Sequence, residues 1–189
     1  NFLKSTFFVN RFTIDTRIYY YAYINKKISS INSNECLREK DFSGTPGFTI
    51  KDVIDLEKKI GTDSFNGSIY KTSIKNVLGA FPLATKLMEH NEENNTEVSV
   101  MDYITQNIIM HKKSKHFIIN YKTCVCSEED YPKERKLISI NEIANGDLNN
   151  ILDNSKNSNN KELFLNLMFQ CFISVGTFHN SINSVHQDI

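Results

Sequence analysis

The sequence has no excess of charge of either sign, no zinc-type cysteine pattern and no long hydrophobic run. Its 189 residues include 22 Lys and Arg and 22 Asp and Glu, which gives a formal net charge of zero. Nucleic-acid-binding proteins usually carry a basic surplus or stripe, so this balance argues against a nucleic-acid partner. The most apolar stretch, residues 163–178, contains Asn166 and Gln170. It is shorter than the roughly 20 residues of a membrane-spanning helix, so no membrane partner is expected.

Cysteine is also scarce, with four residues: Cys36, Cys124, Cys126 and Cys171. Cys124 and Cys126 have one residue between them, whereas zinc-binding pairs usually have two or more, so no metal site is predicted. We expect free thiols in a reducing compartment. No secretory signal is visible, and the sequence therefore predicts an intracellular, cytoplasmic protein.

Residues 1–47 differ in character from the rest of the chain. Residues 17–24 are rich in Tyr and Ile and favour a strand, whereas the residues that follow are mostly polar and typical of turns. We interpret residues 1–47 as a partly ordered extension ahead of the main domain.

From residue 48 onward the pattern indicates regular secondary structure. The predicted elements are two strands around a glycine-bearing turn (48–74), a third strand (81–88), a helix opened by Glu97, two strands (116–126 and 136–143) and a long amphipathic helix (162–179). This order indicates an α+β fold. Because the last helix carries a broad apolar stripe, we expect the isolated chain to expose a hydrophobic patch, to aggregate, or to need a further part of the protein that covers the stripe.

Several side chains have the chemistry of a phosphate-binding site. Gly61 and Gly67 flank a turn in which backbone N–H groups can approach a phosphate, because no Cβ intervenes; an ordinary hairpin is the alternative. Lys86 presents a cation suited to a phosphate, although a solvent-exposed lysine on an edge strand has the same pattern. Glu97 is either an ion-pair partner that holds Lys86 or a first-turn glutamate favoured by the helix dipole.

Two aspartates complete the set of candidates. Asp147 lies in the turn after the last predicted strand, where it can reach a ribose hydroxyl or cap a helix. Asp188 follows the long helix in the sequence SVHQDI, where an aspartate can orient and deprotonate a substrate hydroxyl.

In this order, the features resemble those of the protein-kinase-like family. A glycine turn, strand lysine, helix glutamate, strand with an acidic turn, long helix and His-x-Asp sequence follow one another over residues 48–189. The resemblance implies a five-stranded antiparallel sheet with one helix, called αC in the family, in residues 48–143. It also implies a hinge and the first helices of an incomplete helical lobe in residues 144–189. The Asn- and Lys-rich composition looks similar to that of kinase-like proteins of large DNA viruses, which would place the protein in the host cytoplasm or the virion, although AT-rich protists share this composition.

The resemblance assigns roles around the phosphates. Lys86 would bind the α- and β-phosphates of ATP and pair with Glu97, and Asp188 would be the catalytic aspartate. The phosphates would be covered by a glycine-rich loop that includes Gly61, Ser64, Phe65 and Gly67.

The resemblance also assigns roles around the base and the sugar. Ile69 and Ala84 would form a roof over the adenine. The hinge would contribute backbone groups of Glu142 and Ala144 to the adenine, and Asp147 would face the ribose.

Several residues depart from the family pattern. Asp63 stands in place of the middle glycine of the loop, and Gln187 in place of the arginine before the catalytic aspartate. Lys86 and Glu97 are closer in sequence than is usual, which leaves Glu92 and Glu93 as alternative partners for the lysine.

The implied activity is transfer of the γ-phosphoryl group of ATP, with Mg²⁺, to a Ser or Thr hydroxyl of a protein substrate. Two alternatives stay open: a small-molecule kinase of the aminoglycoside type on the same fold, and a pseudokinase that acts as an interaction module. The family places its metal-binding Asn and Asp after the catalytic aspartate, beyond residue 189. The intact protein is therefore expected to be the active kinase, and the 189-residue chain alone to be inactive.

Overall fold

The computed structural model describes residues 13–64, 67–75, 77, 83–127, 137–144 and 160–183, with the backbone alone at residues 45 and 61–64. Its elements, in chain order, are α1 (Ile14–Lys27), β1 (Leu37–Phe42), β2 (Thr45–Ile50), β3 (Ile54–Ser64), β4 (Gly67–Ile74), β5 (Leu83–Met88), α2 (Glu92–Ile104) with a π-helical turn (Thr105–Ile109), β6 (Asn120–Val125), β7 (Leu137–Glu142) and α3 (Lys161–Ile182).

The described strands form one curled antiparallel sheet in the order β1-β2-β3-β4-β5-β7-β6. The predicted α+β class is confirmed. The sheet has seven strands where five were predicted, because β1 and β2 extend it on the side of β3. β5 lies inside the sheet, between β4 and β7.

The expectation of a strand in residues 17–24 was wrong, because this segment lies within α1. The Thr13 side chain caps the helix by accepting a hydrogen bond from the backbone N–H of Thr16, at 3.2 Å. Asp15 lies in the first turn and Lys26 and Lys27 in the last, where each charge is favoured by the helix dipole. These terminal interactions, together with complete burial of Ile24, outweigh the strand preference of the tyrosines.

The polar stretch before residue 48 contains a turn, as predicted, but the two strands of the β1–β2 hairpin on either side of it were not predicted. Ser43 and Gly44 both have positive φ, 55° and 88°, as a two-residue hairpin turn of type I′ requires. The Asp41 carboxylate accepts a hydrogen bond from the Gly44 N–H at 2.6 Å. β2 lies across residue 47, where the sequence had suggested a domain boundary.

The main hydrophobic core lies on one face of the curled sheet, and α1 and the turn after it contribute to it. Its fully buried side chains come from α1 and the turn after it and from most of the strands; they include Ile24, Ile28, Ile31, Leu37, Ile50, Ile54, Leu56 and Ile140. Two smaller clusters pack around α2 and its π-helical turn. One face of the sheet therefore carries the main core, to which α1 contributes, and the other face contacts α2.

A disulfide joins Cys36 to Cys126, with their Cα atoms 4.7 Å apart. The prediction of free thiols was thus wrong for these two residues, although Cys124 and Cys171 are free. Cys36 directly precedes β1 and Cys126 directly follows β6, so the bond connects the two edge strands. Sequence spacing could not reveal this pair, because the curled sheet brings together residues that are 90 positions apart.

α3 is the longest helix described and exposes much of its apolar surface. None of its side chains is fully buried. Its large exposed side chains are Phe164, Leu165, Phe169, Phe172 and Ile173, and we call this set the α3 patch. The expected hydrophobic patch is confirmed. No helix in the part of the chain that the structure describes is both long and apolar enough to cross a membrane.

Candidate functional site

An ion pair between β5 and α2 lies at the centre of the candidate site. The Nζ atom of Lys86 lies 2.6 Å from Oε1 and 2.8 Å from Oε2 of Glu97. The Lys86 side chain is 19% exposed and that of Glu97 is 39% exposed. The pair is therefore open to solvent at the carboxylate and more enclosed at the lysine.

Local structure explains why Glu97, and neither alternative, contacts Lys86. Asn91 caps α2, its side-chain oxygen accepting a hydrogen bond from the Asn94 N–H at 2.8 Å. Glu92 and Glu93 occupy the first turn, where both are exposed. Glu97 follows one turn later, on the side of the helix that faces the sheet, next to buried Val98. The predicted ion pair is present.

Strand register defines which side chains share a sheet face with Lys86. Directly paired residues in antiparallel strands lie on the same face, as do residues two apart along one strand. Lys86 pairs with Ile69 on β4 and with Ser139 on β7. Ala84, two residues before Lys86, pairs with Asn141. These five side chains form one surface, which we call the Lys86 face.

The Lys86 face is apolar on one side and polar on the other. Ile69 is 40% exposed, whereas Ala84 is nearly buried, and together they offer an apolar surface next to the lysine. Ser139 and Asn141 are buried on the opposite side of Lys86, and the Ser139 hydroxyl lies 3.1 Å from Asn141 Oδ1. The surface thus combines a cation, an apolar area and polar groups.

The glycine-bearing connection is a hairpin between β3 and β4. Ser64 pairs with Gly67 at its end, and Gly61 lies within β3, where the pairing is irregular. Gly67 has a φ of +124°, and a Cβ at this position would lie 2.2 Å from the carbonyl oxygen of Leu87. Only glycine fits where β4 approaches β5 this closely, directly after Lys86.

The end of β7 is fixed by a residue of α1. Arg17 Nε donates to Glu142 Oε1 at 3.0 Å, and Nη2 donates to Oε2 at 2.6 Å. The Glu142 N–H donates to the carbonyl oxygen of Ile119 at 2.9 Å. The predicted hinge residue Glu142 therefore has its carboxylate and its N–H engaged within the protein, and Ala144 follows two residues later.

The sequence did not predict a polar network beside the Lys86 face, which is buried at Asn120 and Ser139 and exposed at Asp102. Asn120 Nδ2 donates to Asp102 Oδ1 at 3.0 Å, and the Ser139 hydroxyl lies 3.4 Å from Asn120 Oδ1. Partial burial raises the pKa of the Asp102 carboxyl, and the hydrogen bond from Asn120 opposes that shift. The signal available in the sequence was the alternation of β7, in which Ser139 and Asn141 interrupt apolar residues.

Three predicted site residues, Phe65, Asp147 and Asp188, lie outside the described residues, and only the backbone of Ser64 is described. Their roles stay predictions. Within the described ranges, no group of three or more His, Cys, Asp or Glu side chains is placed to hold a metal ion.

Comparison with known proteins gives no family assignment: no protein-family model and no curated protein matches this chain. The fold described above is a mixed α+β structure with a curled antiparallel sheet.

Proposed function

We propose that this chain is the ATP-binding part of a protein-kinase-like enzyme. The observation that carries the proposal is the ion pair between Lys86 and Glu97. Protein kinases hold their phosphate-binding lysine on the third strand and pair it with a glutamate of the helix that follows. Counted from Ile54, Lys86 lies on the third strand, and Glu97 lies on the next helix.

The arrangement around the pair supports a nucleotide as the ligand. The hairpin between the first two of these strands contains the glycine whose backbone approaches β5, and backbone without a Cβ suits a phosphate chain. Ile69 and Ala84 offer an apolar surface beside the lysine, which suits the flat face of an adenine. Lys86 then neutralises phosphate charge while Glu97 holds the ammonium group in place.

The proposed reaction of the intact protein is transfer of the γ-phosphoryl group of ATP to a Ser or Thr hydroxyl of a protein. Asp188 accepts the proton of that hydroxyl, in the role that the resemblance gives it. Mg²⁺ is included as the ion that accompanies ATP. The described residues offer no acidic cluster for it, so no protein ligand is assigned to it.

ATP titration of the 189-residue chain and its Lys86→Met variant tests the proposal. We expect binding by the parent chain and an affinity at least about tenfold lower in the variant. Lys51→Met is a matched control, because Lys51 also pairs with a glutamate, Glu35, at 3.2 Å but lies in the turn before β3. No ATP binding by the parent chain, or equal affinity in Lys86→Met, contradicts the proposal.

Phosphotransfer is tested on the intact protein with radiolabelled ATP and a mixture of protein substrates. Incorporation of label that is lost in Asp188→Asn is the expected result. ATP binding without incorporation of label would mean that the protein is a nucleotide-binding interaction module and not a kinase.

A further inference from the structure

Among the described residues, Arg17 is one of the few charged side chains that are buried. It is 8% exposed, although it belongs to a helix ahead of the region that resembles a kinase. Burying a guanidinium is costly unless its donors are satisfied. Arg17 meets this condition with hydrogen bonds to Glu142 and to two backbone carbonyls, those of Lys115 and Phe117.

These contacts connect three separate segments at one point. Nη1 donates to the carbonyl oxygen of Lys115 at 2.6 Å, which fixes the segment leading into β6. The bidentate contact with Glu142 fixes the last residue of β7. The Glu142 carboxylate also accepts a hydrogen bond from the Ile119 N–H at 3.3 Å. The planar fork of an arginine suits this arrangement, and a lysine could not reproduce it.

The end of β7 is also the edge of the Lys86 face. Glu142 pairs with Leu83 of β5, and Asn141 pairs with Ala84. The backbone that follows, through Ala144, is the segment expected to contact the base of a nucleotide. We therefore expect a displacement of Glu142 to shift the segment that would bind the base more than it shifts Lys86, which pairs with Ser139 three residues before Glu142.

We propose that Arg17 is a positioning residue for the nucleotide site. Through Arg17, α1 holds the base-binding end of that site in place. This inference rests on the proposed function. Without the guanidinium fork, the Glu142 carboxylate, whose side chain is 16% exposed, keeps its charge and loses its bidentate partner. The strand end then moves toward water, and the base loses its backbone contacts while the phosphate end is unchanged.

The test compares a ligand with a base and a ligand without one. ATP and inorganic tripolyphosphate are titrated into the parent chain and into Arg17→Lys and Arg17→Met. We expect ATP affinity to fall on the order of tenfold and tripolyphosphate affinity to stay unchanged. Glu142→Gln should reproduce this result, and Arg38→Lys, at an exposed arginine of β1, should change neither affinity.

Each other outcome has a distinct meaning. Equal losses for both ligands in Arg17→Lys would indicate general loosening of the fold and would overturn the positioning role. Unchanged ATP affinity in Arg17→Lys, with loss in Lys86→Met, would overturn this inference and leave the proposed function standing. A parent chain that binds neither ligand would overturn both. If Arg17→Met does not fold, Arg17→Lys alone tests the positioning role. A lysine keeps the positive charge at this buried position and removes only the planar fork.

Discussion

Lys86 Nζ contacts both carboxylate oxygens of Glu97, at 2.6 and 2.8 Å. The substitution Glu97→Gln keeps the size of the side chain and removes its charge. We expect ATP affinity to fall by about tenfold, because the ammonium group stays but is no longer held in place. The free energy of unfolding should change by less than about 1 kcal/mol, since a pair with this much solvent exposure contributes little to stability.

Calorimetric titration and chemical denaturation of the same samples measure both quantities. Glu93→Gln is the matched control, because Glu93 lies exposed in the first turn of the same helix. If the two variants bind ATP equally well, Glu97 has no part in holding the lysine for a ligand.

The pattern of apolar residues predicted the central strands well. β3 to β7 and α3 lie close to where periodicity indicated them, because their apolar faces are buried as the pattern requires. α1 was missed because its tyrosines and isoleucines favour strands locally. Its helical form depends on the Thr13 cap and on packing of Ile24 against the sheet, and the second of these is a tertiary effect.

In the candidate site, too, the contact between residues close in sequence was predicted and the contact between distant residues was not. Lys86 and Glu97 are 11 residues apart, and the order of motifs predicted their contact, with Glu92 and Glu93 as alternative partners. Arg17 and Glu142 are 125 residues apart, and no local pattern links them. Their contact depends on where the sheet places the end of β7, so it could not be predicted from either segment alone.

The close approach at Gly67 predicts a large effect for a small substitution. Gly67→Ala places a methyl group 2.2 Å from the Leu87 carbonyl oxygen at a φ of +124°. Strained backbone of this kind costs about 1–3 kcal/mol, so thermal or chemical unfolding should show a loss of at least that size. Because Leu87 follows Lys86 directly, ATP affinity should fall as well.

Gly176→Ala is the matched control for this prediction. Gly176 lies within α3, and a Cβ there would meet nothing within 4 Å. Alanine in a helix interior is favoured over glycine by about 0.5–1 kcal/mol, so this variant should be more stable than the parent. Equal effects of the two substitutions would contradict the close approach at Gly67.

The cysteines should react in a defined order. Burial raises the pKa of the Cys124 thiol to about 11, so at pH 8 only about one thiol in a thousand is ionised. Since the thiolate is the reactive form, iodoacetamide should label exposed Cys171 quickly and Cys124 slowly. The rate at Cys124 should rise with pH up to about 11.

Mass spectrometry of peptides locates the labels. Without reductant, the unfolded chain should take up label at Cys124 and Cys171 only, because Cys36 and Cys126 form the disulfide. Reductant should make all four cysteines reactive. Labelling of Cys36 in the unreduced, unfolded chain would contradict the disulfide.

Substitutions in the α3 patch should change how the folded chain binds a hydrophobic dye without changing its free energy of unfolding. Phe169 and Phe172 are 64% and 68% exposed. Glutamine is a good helix former, so Phe169→Gln and Phe172→Gln should keep the free energy of unfolding within about 0.5 kcal/mol of the parent value. Binding of a hydrophobic dye to the folded chain should fall, because the patch loses its most exposed rings.

Phe178→Gln provides the contrast on the same helix. Phe178 packs against the cluster that contains Ile104, Ile108 and Ile119, so the same substitution there removes buried apolar area. It should cost about 1–3 kcal/mol and leave dye binding by the folded state at least as strong as in the parent. A loss of stability in Phe172→Gln as large as in Phe178→Gln would mean that α3 is packed on both sides. An unchanged dye signal in Phe169→Gln and Phe172→Gln would place the exposed apolar surface elsewhere.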